Sequence, residues 1–303
     1  MLLLSLVGEQ PIPNLLPLWH SSEYTCVQFA ATPTTLAVAR GLAETIRADP
    51  QLNRLQILEP VMLAAYDIQA SRSALAAALV KHQQDGLEVR LNLTGGTKLM
   101  SLAGVQAAFG SGVQLLYVTT EENQVIYLAS DGSELERQPL KVKISVAQYM
   151  AAHSLEVGED PSFRPDARRY ASPPPSEGSE LEEQVFRLAY QSGLFDDVRR
   201  NVFIRKQTGR ELVINELDIV VTRNGRLAVC SCKSGKAVTK ENIYELASLS
   251  RRESAGIYCG KLLVSNQTNL GLAVRDRARD MNVRLVYGAE IPNIAHHLEL
   301  ATR

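Results

Sequence analysis

The 303-residue sequence has no apolar run of the roughly 18 residues that a membrane helix requires. Its apolar start, MLLLSLV, lacks a basic lead-in and predicts a buried strand rather than a signal peptide. The formal net charge is only −1, with 32 basic and 33 acidic side chains, so any contact with nucleic acid requires a local patch. We therefore expect a cytoplasmic protein with no membrane partner.

Cysteine is also scarce. The four cysteines form no C-x-x-C pair and have no neighbouring histidine, which argues against a zinc site. Cys230 and Cys232 are two residues apart in an apolar stretch, so a strand would place both on one face. We expect all four to be buried free thiols in a reducing compartment.

Two common phosphate-binding motifs are absent, namely G-x-x-x-x-G-K-[ST] and G-x-G-x-x-G. Instead, an apolar stretch ending at Leu93 leads into Thr94-Gly95-Gly96-Thr97-Lys98, and apolar residues follow at helical spacing. This order predicts a strand, a tight turn and a helix. The N–H groups of the turn, two hydroxyls and a lysine favour an anionic ligand. The alternative interpretation is a tight turn with a solvated lysine.

Residues 1–152 are predicted to form the first domain. Strands that alternate with helices predict a mostly parallel, doubly wound sheet, and a last strand is expected at Val142–Val146. Ligands of such sheets bind beyond the carboxyl ends of the strands, near the switch in strand order. Three predicted loops lie at such ends: Gly8–Pro13, Thr32–Thr35 and Thr94–Lys98.

A change of composition over residues 153–178 predicts a linker. Proline, serine and charge replace the apolar pattern there, and the run Pro173–Pro175 predicts a stiff, extended segment. The alternative is an excursion within one domain. Three arginines of this segment could contact nucleic acid or be solvated: Arg164, Arg168 and Arg169.

Residues 179–303 are predicted to form a second α/β domain with the order α-β-β-β-α-β. Period-two alternation places Glu216 beside Asp218 on one strand, and Ser231 beside Lys233 on another. An aspartate and a lysine in apolar strands are costly to bury unless they pair or bind a metal. One alternative is therefore a salt bridge between Asp218 and Lys233 in an inactive binding domain. Glu182 has its own alternative, a capping box with Ser179.

The motifs V-G-x-Q-P-x-P-N and T-G-G-T-K-x-M resemble those of the CARF domain, the CRISPR-associated Rossmann-fold sensor, over roughly residues 1–150. The resemblance implies a homodimer that binds cyclic oligoadenylate across its two-fold axis. One wall of the ligand pocket would be formed by Gly8, Gln10 and Pro11. The other wall would be formed by Thr94, Gly95, Gly96, Thr97 and Lys98.

Residues 178–290 resemble the PD-(D/E)xK restriction-endonuclease-like fold. The resemblance assigns catalytic roles to Glu182, Asp218 and Lys233, and it gives the protein's ligands for Mg²⁺ or Mn²⁺ as Asp218, Glu182 and the carbonyl of Cys232. Lys233 would orient the attacking water and stabilise developing charge.

The chain departs from this pattern at Ser231, where the family generally has a carboxylate. A serine offers a neutral oxygen to a hard cation but no charge. We therefore expect weaker metal binding and a preference for manganese. Glu216 or Glu183 would be the side chains able to compensate.

Together the two halves resemble the CRISPR ancillary nuclease 2 family. The resemblance implies an α/β protein with an N-terminal Rossmann-like CARF domain and a C-terminal restriction-endonuclease-like domain. The expected function is a metal-dependent endonuclease of type III CRISPR defence that cyclic oligoadenylate, typically the four-adenylate ring, activates to cleave DNA or RNA. Two alternatives are a sensing regulator with an inactive nuclease fold and a ring nuclease that degrades its own ligand.

Overall fold

The computed structural model describes residues 1–158, 177–208, 211–235, 237–249, 255–256 and 259–303. The chain forms two compact units, Met1–Val142 and Lys143–Arg303. This division comes earlier than the boundary predicted at residue 152. Residues 159–176, with the three arginines of the predicted linker, lie outside the described residues.

The first unit is a seven-stranded sheet with helices between its parallel strands. The strand order is β3-β2-β1-β4-β5-β6-β7. Strands β3, β2, β1, β4 and β5 are parallel, whereas β6 and β7 extend the sheet in antiparallel fashion. Its elements are β1 (Leu2–Leu6), α1 (Ile12–His20), β2 (Cys26–Ala31), α2 (Leu36–Ala48), β3 (Gln56–Met62), α3 (Ile68–Gln84), β4 (Val89–Asn92), α4 (Lys98–Ala108), β5 (Gln114–Thr119), β6 (Gln124–Leu128) and β7 (Glu134–Pro139).

The middle of this sheet is covered on both faces. Every residue of β1 and of β4 is buried, as expected for central strands of a parallel sheet with helices on both sides. The core includes Leu4, Leu6, Leu91, Leu93 and Met100. The predicted doubly wound sheet is therefore confirmed.

The second unit contains a six-stranded sheet of order β13-β12-β11-β10-β9-β8. Strands β11, β12 and β13 are parallel, and β8 to β11 form antiparallel pairs. The predicted order helix, three strands, helix, strand is observed from α6 to β12. Its elements are α5 (Val146–Ala152), β8 (Glu156–Gly158), α6 (Glu177–Gln191), β9 (Asp197–Thr208), β10 (Glu211–Arg223), β11 (Arg226–Lys233), α7 (Lys240–Leu249), β12 (Gly260–Ser265), α8 (Leu272–Asp280), β13 (Arg284–Tyr287), a 3₁₀ helix (Gly288–Asn293) and α9 (Ile294–Ala301).

Two local predictions were wrong. Ile12–His20 is a helix that follows Pro11, because a proline in the first turn gives up an N–H that has no helical partner anyway. The strand predicted at Val142–Val146 is absent, and α5 begins at Val146. Ser145 and Gln148 form a capping box, in which Ser145 Oγ accepts the N–H of Gln148 at 3.2 Å.

The four cysteines are buried free thiols, as predicted. Cys230 and Cys232 both belong to the core of the second unit, which confirms that they share one face of β11. Over the part of the chain that the structure describes, no helix combines the length and apolar character needed to cross a membrane.

Candidate functional sites

The first candidate site lies where the strand order of the first sheet reverses. Chain order runs outward from β1 to β2 and β3 on one side, and β4 follows on the other. The loops after β1 and β4 therefore leave the same edge of the sheet in neighbouring positions, as in other ligand-binding doubly wound sheets. A Cβ on Gly8 would lie 2.9 Å from the nitrogen of Gly96, so these two loops are in direct contact.

Both glycines of the turn after β4 are required by its geometry. A Cβ on Gly95 would lie 2.0 Å from the carbonyl oxygen of Leu6, and Gly96 has a φ of +77°. The absence of side chains lets this turn press against the end of β1. The backbone N–H groups of the turn are consequently held at the start of α4.

The two threonine hydroxyls of the turn are engaged inside the protein. Thr94 Oγ1 donates to Oδ1 of Asn92 at 2.6 Å and accepts the N–H of Val118 at 2.8 Å. Thr97 Oγ1 donates to the carbonyl of Ala65 at 2.8 Å and caps α4 by accepting the N–H of Met100 at 3.2 Å. Their main role is to shape the turn.

A buried polar network links the strands beneath the turn. Ser5 and Asn92 are opposite each other in β1 and β4. Asn92 Nδ2 donates to Ser5 Oγ at 2.9 Å and to the carbonyl of Pro13 at 3.1 Å, and Ser5 Oγ donates to Oδ1 of Asn14 at 2.9 Å. Sequence reasoning missed these residues as part of the site, although an asparagine between apolar strand residues is a usable signal.

The other predicted ligand-binding residues differ in exposure. Lys98 is exposed at the first position of α4, where the helix dipole also favours an anion. Gln10 and Gly8 are half-buried, and Pro11 is buried at the start of α1. In the third predicted loop, Thr32 N–H donates to Oγ1 of Thr35 at 3.0 Å. The N–H of Thr94 donates to Oδ1 of Asn92 at 3.0 Å, and the N–H of Thr97 contacts Sδ of Met100 at 3.4 Å. The groups best placed for a phosphate are therefore the N–H groups of Gly95 and Gly96 and the Lys98 ammonium.

Replacing Gly95 tests how tightly this turn is packed. In Gly95→Ala the new methyl group collides with the Leu6 carbonyl, and we expect a loss of about 1–3 kcal/mol in the free energy of unfolding of this unit. We also expect loss of the thermal stabilisation that a bound anionic ligand provides. Thermal unfolding with and without cyclic tetra-adenylate measures both effects.

Gly110→Ala is the matched control. Gly110 has a φ of +73°, and no atom lies within 4 Å of an added Cβ. This variant carries only the backbone strain, about 1–2 kcal/mol, and keeps the ligand-induced shift. An unchanged ligand response in Gly95→Ala would contradict the assignment of this turn.

The second candidate site surrounds Asp218. Ile219 and Cys230 are the last paired residues of β10 and β11 on the side away from the hairpin turn. Asp218 and Ser231 lie one residue beyond that pair. Asp218 Oδ2 accepts the N–H of Cys232 at 2.7 Å and Ser231 Oγ at 3.2 Å. Burial raises the pKa of Asp218, and the Cys232 hydrogen bond opposes that shift. No described residue donates to its second oxygen, Oδ1, which remains available to a cation.

Glu182 belongs to the same cluster. Burial, together with the nearby carboxylates of Asp218 and Glu216, raises the pKa of Glu182 to about 7, against a smaller lowering effect of Lys233. Helix α6 begins at Glu177, so Ser179 lies inside the helix and the capping-box alternative for Glu182 is removed. The structure thus brings together an acid from α6, two from β10 and the lysine that ends β11.

Lys233 forms its ion pair with an unexpected partner. Its Nζ lies 3.8 Å from Oε2 of Glu245 on α7. The alternative interpretation pairs Lys233 with Asp218 in an inactive domain, and that ion pair is not found among the described residues. Glu183, predicted as a possible compensating ligand, pairs with Arg200 instead. Sequence reasoning missed Glu245 because it lies twelve positions from Lys233, on a helix whose placement the sequence does not specify.

The donor set at Asp218 fits a hard divalent cation. Within the described ranges, no group of three or more His, Cys, Asp or Glu side chains is arranged to bind a metal ion. Mg²⁺ sites, however, commonly use one or two carboxylates and retain several waters. Asp218 and Glu182 would supply two such carboxylates, and the charge of Asp218, which raises the pKa of Glu182, is what a cation would offset. The Cys232 thiol itself packs in the core.

Comparisons of this chain with protein families match almost its whole length. The Card1 CARF domain matches residues 2–149, and the Card1-like endonuclease domain matches residues 167–303. No match was found among curated protein sequences.

Three solved structures share the fold. Protein VC1899 from Vibrio cholerae is 16% identical with a TM-score of 0.82, and the match covers 99% of this chain and 98% of that one. Can2 from Sulfobacillus thermosulfidooxidans, solved with cyclic tetra-adenylate, is 18% identical with a TM-score of 0.77 and coverage of 100% and 97%. A type III CRISPR defence DNA nuclease activated by cyclic oligoadenylate is 22% identical with a TM-score of 0.63, covering 95% of this chain and 48% of that one.

Proposed function

The chain belongs to the Card1 CARF family through residues 2–149 and to the Card1-like endonuclease family through residues 167–303, and we propose that a cyclic oligoadenylate bound to the first domain activates cleavage of nucleic acid by the second. The observation that carries this proposal is the cluster of Glu182, Asp218 and Lys233 in the endonuclease domain. Four free thiols favour action in a reducing cytosol.

The proposed activator binds at the turn Thr94–Lys98. Its phosphates would accept hydrogen bonds from the N–H groups of Gly95 and Gly96 and from Lys98. Tyr66 adjoins Ala65, the residue whose carbonyl binds Thr97, and is 83% exposed. An exposed aromatic ring beside a phosphate cradle suits the stacking of an adenine base. Cyclic tetra-adenylate is the ligand that the related Can2 structure contains.

We propose that the protein acts as a homodimer formed through the first unit. Leu102 on α4 and Phe109, the residue that follows its last turn, lie seven positions apart on the same side as Lys98, and they are 52% and 69% exposed. Exposed apolar residues in such a row favour contact with a second copy. A two-fold axis beside Lys98 would also suit a symmetric cyclic ligand.

The residues of the second site have distinct roles in the proposed hydrolysis of a phosphodiester. Asp218, Glu182 and the Cys232 carbonyl would hold the divalent cation that this endonuclease family implies, Mg²⁺ or Mn²⁺. When bound, the cation supplies positive charge to the phosphate and promotes ionisation of water. Lys233 would orient the attacking water and stabilise the developing charge. Glu245 would hold the Lys233 ammonium at the end of β11, and Ser231 would keep Asp218 Oδ2 in place.

Cleavage assays test the proposal directly. Plasmid DNA and labelled RNA are incubated with the protein in Mn²⁺ or Mg²⁺, with and without cyclic tetra-adenylate. We expect cleavage of at least one substrate, and only when the ligand and a metal ion are both present. No cleavage under any condition would favour a regulator with an inactive nuclease fold. Ligand breakdown that persists in Asp218→Asn but is lost in Lys98→Gln would favour a ring nuclease.

Ser231 provides a test of the metal site. In Ser231→Asp the neutral hydroxyl becomes a second carboxylate beside Asp218, and we expect half-maximal activity at about tenfold lower Mg²⁺ concentration. Ser231→Ala is the matched control, because it removes the hydroxyl without adding charge. A metal titration of cleavage rates measures the change. An unchanged or higher metal requirement in Ser231→Asp would contradict the proposed coordination.

A further inference from the structure

A pocket of about 460 Å³ lies in the second unit, at the end of the sheet where β11, β12 and β13 begin. Arg226 and Lys233 are the first and last residues of β11. Seven residue steps of a strand span roughly 20 Å, so this pocket is well separated from the Asp218 site at the other end of the sheet. Gly260 forms part of its wall, where an added Cβ would lie 2.3 Å from the carbonyl of Ala301.

The pocket is lined by five cationic side chains and by no aspartate or glutamate. These cations come from five separate parts of the unit: the starts of β11, β12 and β13, the end of α8, and the chain after α9. They are Arg226, Lys261, Arg279, Arg284 and Arg303.

The neighbouring acids balance only part of this charge. Glu299 lies 3.0 Å from Arg303 but also pairs with Arg223 at 3.2 Å, and Asp276 lies 3.7 Å from Arg279. Lys261 Nζ donates to the neutral carbonyl of Met281 at 2.8 Å. Among the described residues, no carboxylate lies within ion-pair distance of Lys261 or of Arg284. Arg226 is buried and donates to the main-chain oxygen of Arg303, so the positive surplus of the concavity comes from Lys261 and Arg284, in a chain whose net charge is −1.

We propose that this pocket binds the phosphate backbone of nucleic acid outside the cleavage site. Clustered arginines and a lysine around a concave surface suit successive phosphates, with arginine able to bind phosphate oxygens in bidentate fashion. A polymer can reach both ends of the sheet, since its strand advances about 3.4 Å per nucleotide and roughly six nucleotides span 20 Å. This inference rests on the proposed nuclease function and assigns its substrate a second point of contact.

The test is the affinity of the full-length protein for a fluorescent 20-nucleotide DNA and the RNA of the same sequence, measured by anisotropy in EDTA over a series of salt concentrations. For Lys261→Gln/Arg284→Gln we expect roughly tenfold weaker binding and a salt dependence whose slope is lower by up to about two. Because Lys261 also supports the Met281 carbonyl, the single variant Arg284→Glu repeats the test at an exposed residue. It is expected to weaken binding in the same direction.

Arg47→Gln/Lys81→Gln is the matched control, since it removes the same charges from exposed positions of the first unit. It is expected to bind nucleic acid like the unmodified protein. Binding and salt slope that are unchanged in both pocket variants would overturn the inference. A calorimetric titration with inorganic triphosphate provides a second test. The inference would also be overturned if the unmodified protein bound triphosphate tightly, and the pocket variants lost this binding but kept their affinity for nucleic acid. The pocket would then belong to a small phosphorylated ligand. Because EDTA removes the catalytic metal, failure of the cleavage proposal would not affect this readout.

Discussion

Asp218→Asn is expected to reduce cleavage by about 10³-fold or more, because the variant loses the charge of the central metal ligand while it retains the shape of the side chain. An asparagine oxygen can still accept the Cys232 N–H, so the end of β11 should keep its structure. Initial rates with saturating activator and metal measure the loss.

Thermal unfolding separates this loss from misfolding. Without metal, Asp218→Asn should be at least as stable as the unmodified protein, because it removes one of several neighbouring carboxylates that repel one another. Manganese at about 100 times its dissociation constant should stabilise the unmodified protein by about 2.7 kcal/mol and stabilise the variant far less.

Asp280→Asn is the control, since Asp280 is exposed at the end of α8 and pairs with Arg277 at 3.7 Å. It should cleave normally. Full activity of Asp218→Asn, or equal stabilisation of both proteins by manganese, would refute the assignment of Asp218.

Lys98→Gln is expected to affect activation rather than chemistry. A charge-assisted hydrogen bond contributes about 1.5–3 kcal/mol, and a symmetric ligand would lose one such bond in each copy of the dimer. We therefore expect about 10²-fold weaker binding of cyclic tetra-adenylate, with cleavage restored at sufficiently high ligand concentration. Calorimetric binding and a ligand titration of the cleavage rate measure the two effects.

The control for this variant is Lys81→Gln, which removes an exposed lysine at the far end of α3. It should respond to ligand normally. A Lys98→Gln protein with unaltered ligand affinity would show that the turn Thr94–Lys98 is not the phosphate site. A variant that binds ligand normally but cannot cleave would instead place Lys98 in the coupling between the two domains.

The architecture of both units was largely predictable because it follows from local sequence. Alternation of apolar strands with helices specified the parallel sheet of the first unit. In the second unit, period-two alternation assigned Asp218 to one face of β10 and Ser231 to one face of β11, and the structure shows that their side chains meet. The helix α1 was missed because its prolines were interpreted as loop residues, although proline is common in the first turn of a helix.

Parts of both sites were not predictable from the sequence, because they depend on which hydrogen-bond or ion-pair partner each side chain selects. Thr94 and Thr97 have the composition of phosphate ligands, yet their hydroxyls are bound to Asn92 and to the carbonyl of Ala65. Likewise, Lys233 was compatible with an ion pair to Asp218 and instead pairs with Glu245. Periodicity assigns a residue to a face but does not select among neighbouring partners.

The sequence alone determined that a glycine-rich turn follows a buried strand and that Asp218 and Lys233 lie on two adjacent strands of one hairpin. Those features depend on contacts between residues close in the chain or within one hairpin. Only the tertiary structure decided that Gly8 touches Gly96, that Glu182 joins Asp218, and that cations from five separate segments surround one pocket. The reason is physical: such contacts are set by how helices and sheets pack, and packing depends on the shape of the whole core rather than on local spacing.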